Sequence, residues 1–107
     1  MAIKHVVTND WESDVINSDI PVLVDFWATW CVPCKMIGKV LEQVEGKYEG
    51  KVQFVKLNAD EEQEIAARYQ IRALPTIMIF KNGEIVEKIV GAISKGKLLK
   101  LADKYVG

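Results

Sequence analysis

The sequence has little cysteine and almost no histidine, with two and one respectively in 107 residues. Two cysteines are too few for a disulfide scaffold, and two thiols with His5 fall short of the four ligands a structural zinc site takes. Zinc therefore stays open only as a site bridging two copies of the chain, and no metal is expected. The sequence also lacks an excess of one charge: 14 basic residues stand against 15 acidic ones, a formal net charge of −1. A binder of nucleic-acid phosphates would show a clustered positive excess, so nucleic acid is excluded as an expected partner. Long apolar runs are missing too. Asp25 breaks IPVLVDFWATW and Lys81 ends TIMIF, so neither approaches the ~20 residues of a membrane span, and no membrane association is expected. The opening MAIKHVVTNDW lacks the apolar region of an export signal, which leaves the cytosol as the expected location. There is no glycine-rich nucleotide fingerprint, hence no cofactor expected in the chain itself. With no repeat, linker or low-complexity tract, and half of the residues hydrophobic, residues 1–107 are expected to form a single domain around one core.

What is present is a strong alternation of patterns. IKHVV at 3–7 suggests a short strand, and TNDWESDVINS supplies cap residues followed by Trp11, Val15 and Ile16 at helical spacing. PVLVDFWA at 21–28 is apolar on both faces, as expected of a central strand covered on each side by helices. After the cysteines, Met36, Ile37, Val40, Leu41 and Val44 recur at the 3.6-residue period of a long helix, with Gly46 and Gly50 as stop signals. KVQFVKLNAD predicts a third strand, and EEQEIAARYQ a short helix whose acidic first turn complements its positive end. TIMIF and EIVEKIVG flank Lys81-Asn82-Gly83-Glu84, and Asn-Gly between two β-prone runs predicts a two-residue antiparallel hairpin. Ser94 is placed to cap a last helix with Leu98, Leu101, Ala102 and Tyr105 as its apolar stripe. The predicted fold class is α/β: one central mixed sheet of four or five strands flanked by helices on both faces.

The cysteines stand two residues apart in DFWATWCVPCK, between the central strand and the long helix. In open α/β sheets that is where ligands and chemistry gather, outside the carboxyl ends of the strands. Pro33 suits the first helical turn, which places Cys31 near the helix N-terminus and Cys34 one turn inside. Residues three apart on a helix have Cα atoms about 5–6 Å apart, within disulfide range. The unpaired N–H groups and positive end of the helix should favour a thiolate at Cys31, while Cys34 stays protonated longer. Two inert buried thiols are the competing structural explanation.

VDFWATWCVPCKMI, KLNAD, IRALPT, FKNGE and VGAISKGKL together resemble the thioredoxin family nearly from end to end. The resemblance implies the thioredoxin fold, with Cys31 as attacking thiol and Cys34 as resolving thiol. It further implies that Asp25 lies under the pair and takes the resolving proton through water. Burial would raise such a carboxyl toward neutrality, although an acid in an apolar strand is otherwise satisfied by a cap or ion pair. Lys56 matches the family's lysine near that acid; alone, it would pass for an edge lysine with its head in water. By resemblance Trp27 packs beside the site and Trp30 shields it. A bare X–Pro bond would be trans, but the family's proline at Pro75 is cis and lies against the disulfide. The backbone before it, at Leu74, bonds an extended substrate. Leu74, Pro75, Gly91 and Ala92 would then join Trp30, Val32 and Pro33 in a small apolar docking surface.

Two positions depart from the commonest family pattern. Val32 stands where a glycine is usual, which stiffens the link between the cysteines and enlarges the apolar contact. Lys39 stands where a mid-helix proline is usual, so the helix should bend less, although Gly38 can loosen it. The function expected is that of a protein dithiol-disulfide oxidoreductase reducing disulfide-containing protein substrates. It would act as a monomer recycled by a separate thioredoxin reductase or equivalent, which would carry any NADPH and flavin. A thioredoxin-like binding module supporting a larger assembly is the alternative.

Overall fold

The computed structural model describes residues 3–107, so the first two residues of the expected single domain lie outside the described part. Five strands form one mixed sheet in the order β1-β3-β2-β4-β5. They are β1 (Lys4–His5), β2 (Val22–Trp27), β3 (Gln53–Asn58), β4 (Thr76–Lys81) and β5 (Glu84–Val90). β1, β3 and β2 run parallel, whereas β4 is antiparallel to β2 and β5 to β4. β2 is central and buried along its length, with only Trp27 half-buried. That is why its sequence is apolar at consecutive positions instead of alternating.

Three α-helices accompany the sheet: α1 (Val32–Val44), α2 (Gln63–Arg68) and α3 (Lys95–Asp103). Alternate residues of the strands divide the core in two. On one face Leu23, Phe54, Ile77 and Ile79 meet Ile37 and Leu41 of α1 and Leu98 and Leu101 of α3. On the other, Val22, Val24, Phe26, Val55, Leu57 and Phe80 meet Trp11, Val15 and Ile65. α1 ends at Val44 in a 3-10 turn, Glu45–Tyr48, before either predicted stop glycine. Ser94 caps α3 as expected, accepting from the Lys97 N–H at 3.2 Å. Tyr105 lies just past the end of α3 and donates to Glu87 of β5.

The hairpin turns at Asn82 and Gly83, with φ of +53° and +80°. Positive φ at both positions is the combination that makes Asn-Gly the preferred pair. The expected strand at 3–7 shortens to Lys4–His5. The expected first helix is a 3-10 turn, Thr8–Asp10, followed by a π-helical segment, Glu12–Ile16. The polar residues of this stretch favour local bonds over helix: Ser13 Oγ donates to the Asp10 carbonyl at 3.1 Å. Trp11 anchors the segment from its middle. Its ring lies 5.4 Å from those of both Tyr69 and Phe80, and its indole N–H donates to the Tyr69 hydroxyl at 3.2 Å. Tertiary packing of one large side chain thus overrides the helical period.

Candidate active site

β2 delivers the chain to the C-terminal end of the parallel strands at Trp27, and α1 starts five residues later. Cys31 is the N-cap of α1 in extended conformation, and its Sγ accepts the Cys34 backbone N–H at 3.3 Å. Pro33 occupies the first turn, where it removes no helical hydrogen bond. Cys31 and Cys34 are disulfide-bonded with Cα atoms 5.3 Å apart. The helix terminus therefore directs a backbone N–H at the first sulfur, the arrangement that stabilises a thiolate there after reduction. Both cysteines are nearly covered, Cys31 at 4% and Cys34 at 1% exposure. Position at the helix end, more than exposure, distinguishes them.

Asp25 is fully buried, and neither carboxylate oxygen has a hydrogen-bond partner among the described residues. No cap or direct ion pair satisfies it. Burial pushes its carboxyl up to about 7, with the positive charge of Lys56 pulling in the opposite direction. Lys56 is its register partner on β3. Because β1 flanks β3, Lys56 is not on a sheet edge; its Nζ stands 4.4 Å from the centroid of the Trp27 ring. His5, register partner of Lys56 on β1, meets the same ring edge-on at 5.8 Å.

The proposed docking residues fall at one end of the sheet. Thr76 pairs with Phe26, which sets Pro75 at the end of β2 that leads to the cysteines. The Leu74–Pro75 bond is cis, and the Gly91 N–H donates to the Pro75 carbonyl at 2.8 Å. Pro75 is buried, Leu74 and Gly91 are half-buried, and Pro33 and Ala92 are exposed. Trp30 and Val32 are two-thirds exposed, at 67% and 65%. The Trp30 indole N–H donates to Asp60 Oδ2 at 2.9 Å.

Met36, expected in the core, is 67% exposed instead. It lies four residues after Val32 on α1, a spacing that already placed both on one helix face. Val90 is also exposed, next to Gly91. Both are exposed apolar residues beyond those predicted for docking. Asp60, within KLNAD, gave no sign in the sequence that it would hold Trp30. A cavity of about 310 Å³ opens elsewhere, lined by Lys4, Ile20, Val52 and Phe54 near the opposite ends of β2 and β3. It is remote from the disulfide, and exchange between protein disulfides needs an accessible surface, not an enclosed pocket. No cluster of three or more potential metal ligands occurs among the described residues, and none of their helices is long and apolar enough to cross a membrane.

The Thioredoxin family model matches residues 2–104. A thioredoxin of Porphyra purpurea is 44% identical over 106 residues, 99% of each chain. One of Synechocystis sp. is 47% identical over 105 residues, 98% of each chain. The chloroplastic M-type thioredoxin of Spinacia oleracea is 44% identical over 104 residues, 97% of this chain and 58% of the spinach one. A disulfide-bonded Cys-x-x-Cys pair at a helix N-terminus is the apparatus of dithiol-disulfide exchange, and that is the activity of this chain. Sequence, sheet and redox pair agree: the chain belongs to the thioredoxin family.

Proposed function

We propose that this single-domain protein works in the cytosol as a monomeric reductant of protein disulfides, with no cofactor of its own. The observation that carries this reading is Cys31 at the N-cap of α1, its sulfur already accepting a backbone N–H. In the reduced protein, the Cys31 thiolate attacks one sulfur of a substrate disulfide. A mixed disulfide forms and the other substrate sulfur leaves as thiolate. Cys34 then attacks the Cys31 sulfur, giving its proton to Asp25, and the second substrate thiol is released. Two electrons pass from the dithiol to the substrate, and the Cys31–Cys34 bond seen here is the product. A separate thioredoxin reductase, flavin-containing or ferredoxin-dependent, returns the dithiol. Lys56 moderates the charge on Asp25. Trp30, Val32, Pro33, Leu74, Pro75, Gly91 and Ala92 form the surface on which a client segment docks.

The decisive experiment is reduction of a generic protein disulfide by the pure protein, recycled with dithiothreitol or with NADPH and a reductase. Acceleration over the recycling agent alone is expected. No acceleration by natively folded protein would leave only the binding-module alternative, in which turnover is incidental.

Val32 is the first residue of α1 and points to solvent. It reacts with nothing, so Val32→Gly should shift the reduction potential by at most tens of millivolts; ~30 mV corresponds to ~1.4 kcal/mol for this two-electron couple. The rate with protein substrates should fall further than the rate with a small disulfide, since apolar docking area is removed. Redox titration beside parallel kinetics on the two substrate classes checks both statements. Equal loss on both classes would remove Val32 from the docking surface.

A further inference from the structure

The Lys56 ammonium stands in a slot built by three elements. In the parallel ladders His5, Lys56 and Asp25 are register partners across β1, β3 and β2, so their side chains form a row on one face of the sheet. That face is the one covered by α1, since Leu23 and Phe54, two residues from Asp25 and Lys56, pack in the cluster of Ile37 and Leu41. The Trp27 ring forms one wall at 4.4 Å from Nζ. The other wall is Gly38 of α1: a Cβ there would lie 3.2 Å from Nζ, a tight contact that the ammonium relieves by yielding a few tenths of an ångström. Glycine in a helix interior costs ~1 kcal/mol relative to alanine, and here it stands where a side chain would press on the ammonium. Of the charged and titratable groups on the elements around Asp25, Lys56 is the one that acts on its charge. Cys31 and Cys34 on α1 are locked in a disulfide, β4 presents Ile77, and His5 lies one strand further out beside Lys56.

We propose that Gly38 is a positioning residue: by lacking a Cβ it keeps open the slot in which Lys56 faces Asp25, so the residue at 38 sets how strongly that lysine acts on the carboxyl. A methyl group at 38 pushes the ammonium back by a few tenths of an ångström. The Trp27 ring blocks one direction, and hydration of the charge favours the outward one, toward the β1 edge and solvent. Lys56 then opposes the effect of burial on Asp25 less well. The consequence for turnover rests on Asp25 as the proton acceptor proposed above. The slot itself is testable without that reading, in the oxidised protein, where no exchange takes place and the cysteines do not titrate.

The experiment follows the Asp25 carboxyl carbon by NMR across pH in oxidised wild type, Gly38→Ala, Lys56→Met and the double variant. Gly38→Ala should raise the Asp25 midpoint by about 0.1–0.3 pH unit, part of the larger rise in Lys56→Met, and should add nothing once Lys56 is Met. Repeating the comparison in His5→Gln should leave the difference unchanged. An unmoved or lowered midpoint in Gly38→Ala overturns the proposal. So does a rise of equal size without Lys56, or a difference that vanishes with His5. A helix merely strengthened by alanine would raise stability at every pH without moving this midpoint. If the midpoint moves but the pH profile of mixed-disulfide resolution does not, the slot stands and Asp25's role as the proton acceptor falls.

Discussion

Cys34→Ser should accumulate mixed disulfides with client proteins, while Cys31→Ser should accumulate none. The two sulfurs occupy different positions in the same turn. Cys31 is the N-cap of α1, beside the exposed Trp30 and Val32, and its sulfur accepts a backbone N–H. Cys34 sits one turn inside, at 1% exposure. A helix N-terminus favours the anion at the first position, and the thiolate is the nucleophile of exchange. With Cys31 intact and Cys34 replaced, the first attack proceeds and the intramolecular second attack cannot. The adduct then waits for an external thiol, and uncatalysed exchange of that kind takes on the order of minutes to hours. With Cys31 replaced, the remaining thiol lacks the cap position that favours the thiolate. Non-reducing electrophoresis and intact mass after mixing with a disulfide-containing protein would separate the outcomes. Equal trapping by both variants would reverse the assignment of the two cysteines.

Much of this arrangement was legible in the sequence because local chemistry and tertiary structure agree there. The consecutive apolar residues of β2, the Asn82-Gly83 turn and the Ser94 cap each have one dominant local solution, and each formed as expected. The segment around Trp11 did not. Its polar residues weaken the helix, and Trp11 is placed by Tyr69, Phe26 and Phe80, which lie far away in sequence. Met36 fits the period of the buried stripe, yet it sits at the rim of that stripe on the side of Val32 and faces solvent. The bond between Trp30 and Asp60 and the meeting of Gly38 with Lys56 each join residues about 20 or more positions apart. They depend on strand register and helix docking together, and neither leaves a periodic or spacing signal.

Asp25→Asn should move stability and turnover in opposite directions. Asp25 is the one carboxyl in the row beneath α1, and it has no hydrogen-bond donor among the described residues to offset its burial. Its folded-state value of about 7 lies above the ordinary 3.8. Below pH ~4 the carboxyl is protonated in folded and unfolded chains alike and imposes no ionisation cost. Between there and about 7 the unfolded chain ionises first, so the folded state binds more protons and stability falls as pH rises. Above about 7 the full penalty is present. A shift from 3.8 to about 7, at ~1.36 kcal/mol per unit, is about 4 kcal/mol. The amide avoids ionisation but remains a buried polar group, so about 2–4 kcal/mol should be recovered at pH 9 and little near pH 4. In urea that is a midpoint increase on the order of 1–2 M at pH 9. Turnover responds the other way. An amide cannot accept the proton of Cys34, so the second attack should slow by ~10²-fold or more near neutral pH, the size of a lost general base, while the first attack by Cys31 changes little. Rapid quench with acid, followed by quantification of the mixed disulfide, reads the two steps separately; urea melts at pH 4 and 9 supply the stability arm. A variant no more stable at pH 9 than wild type, resolving as fast, would show that Asp25 is neither strained by burial nor a base. A stabilised variant that still resolves at the wild-type rate would keep the burial penalty and assign the resolving proton to solvent.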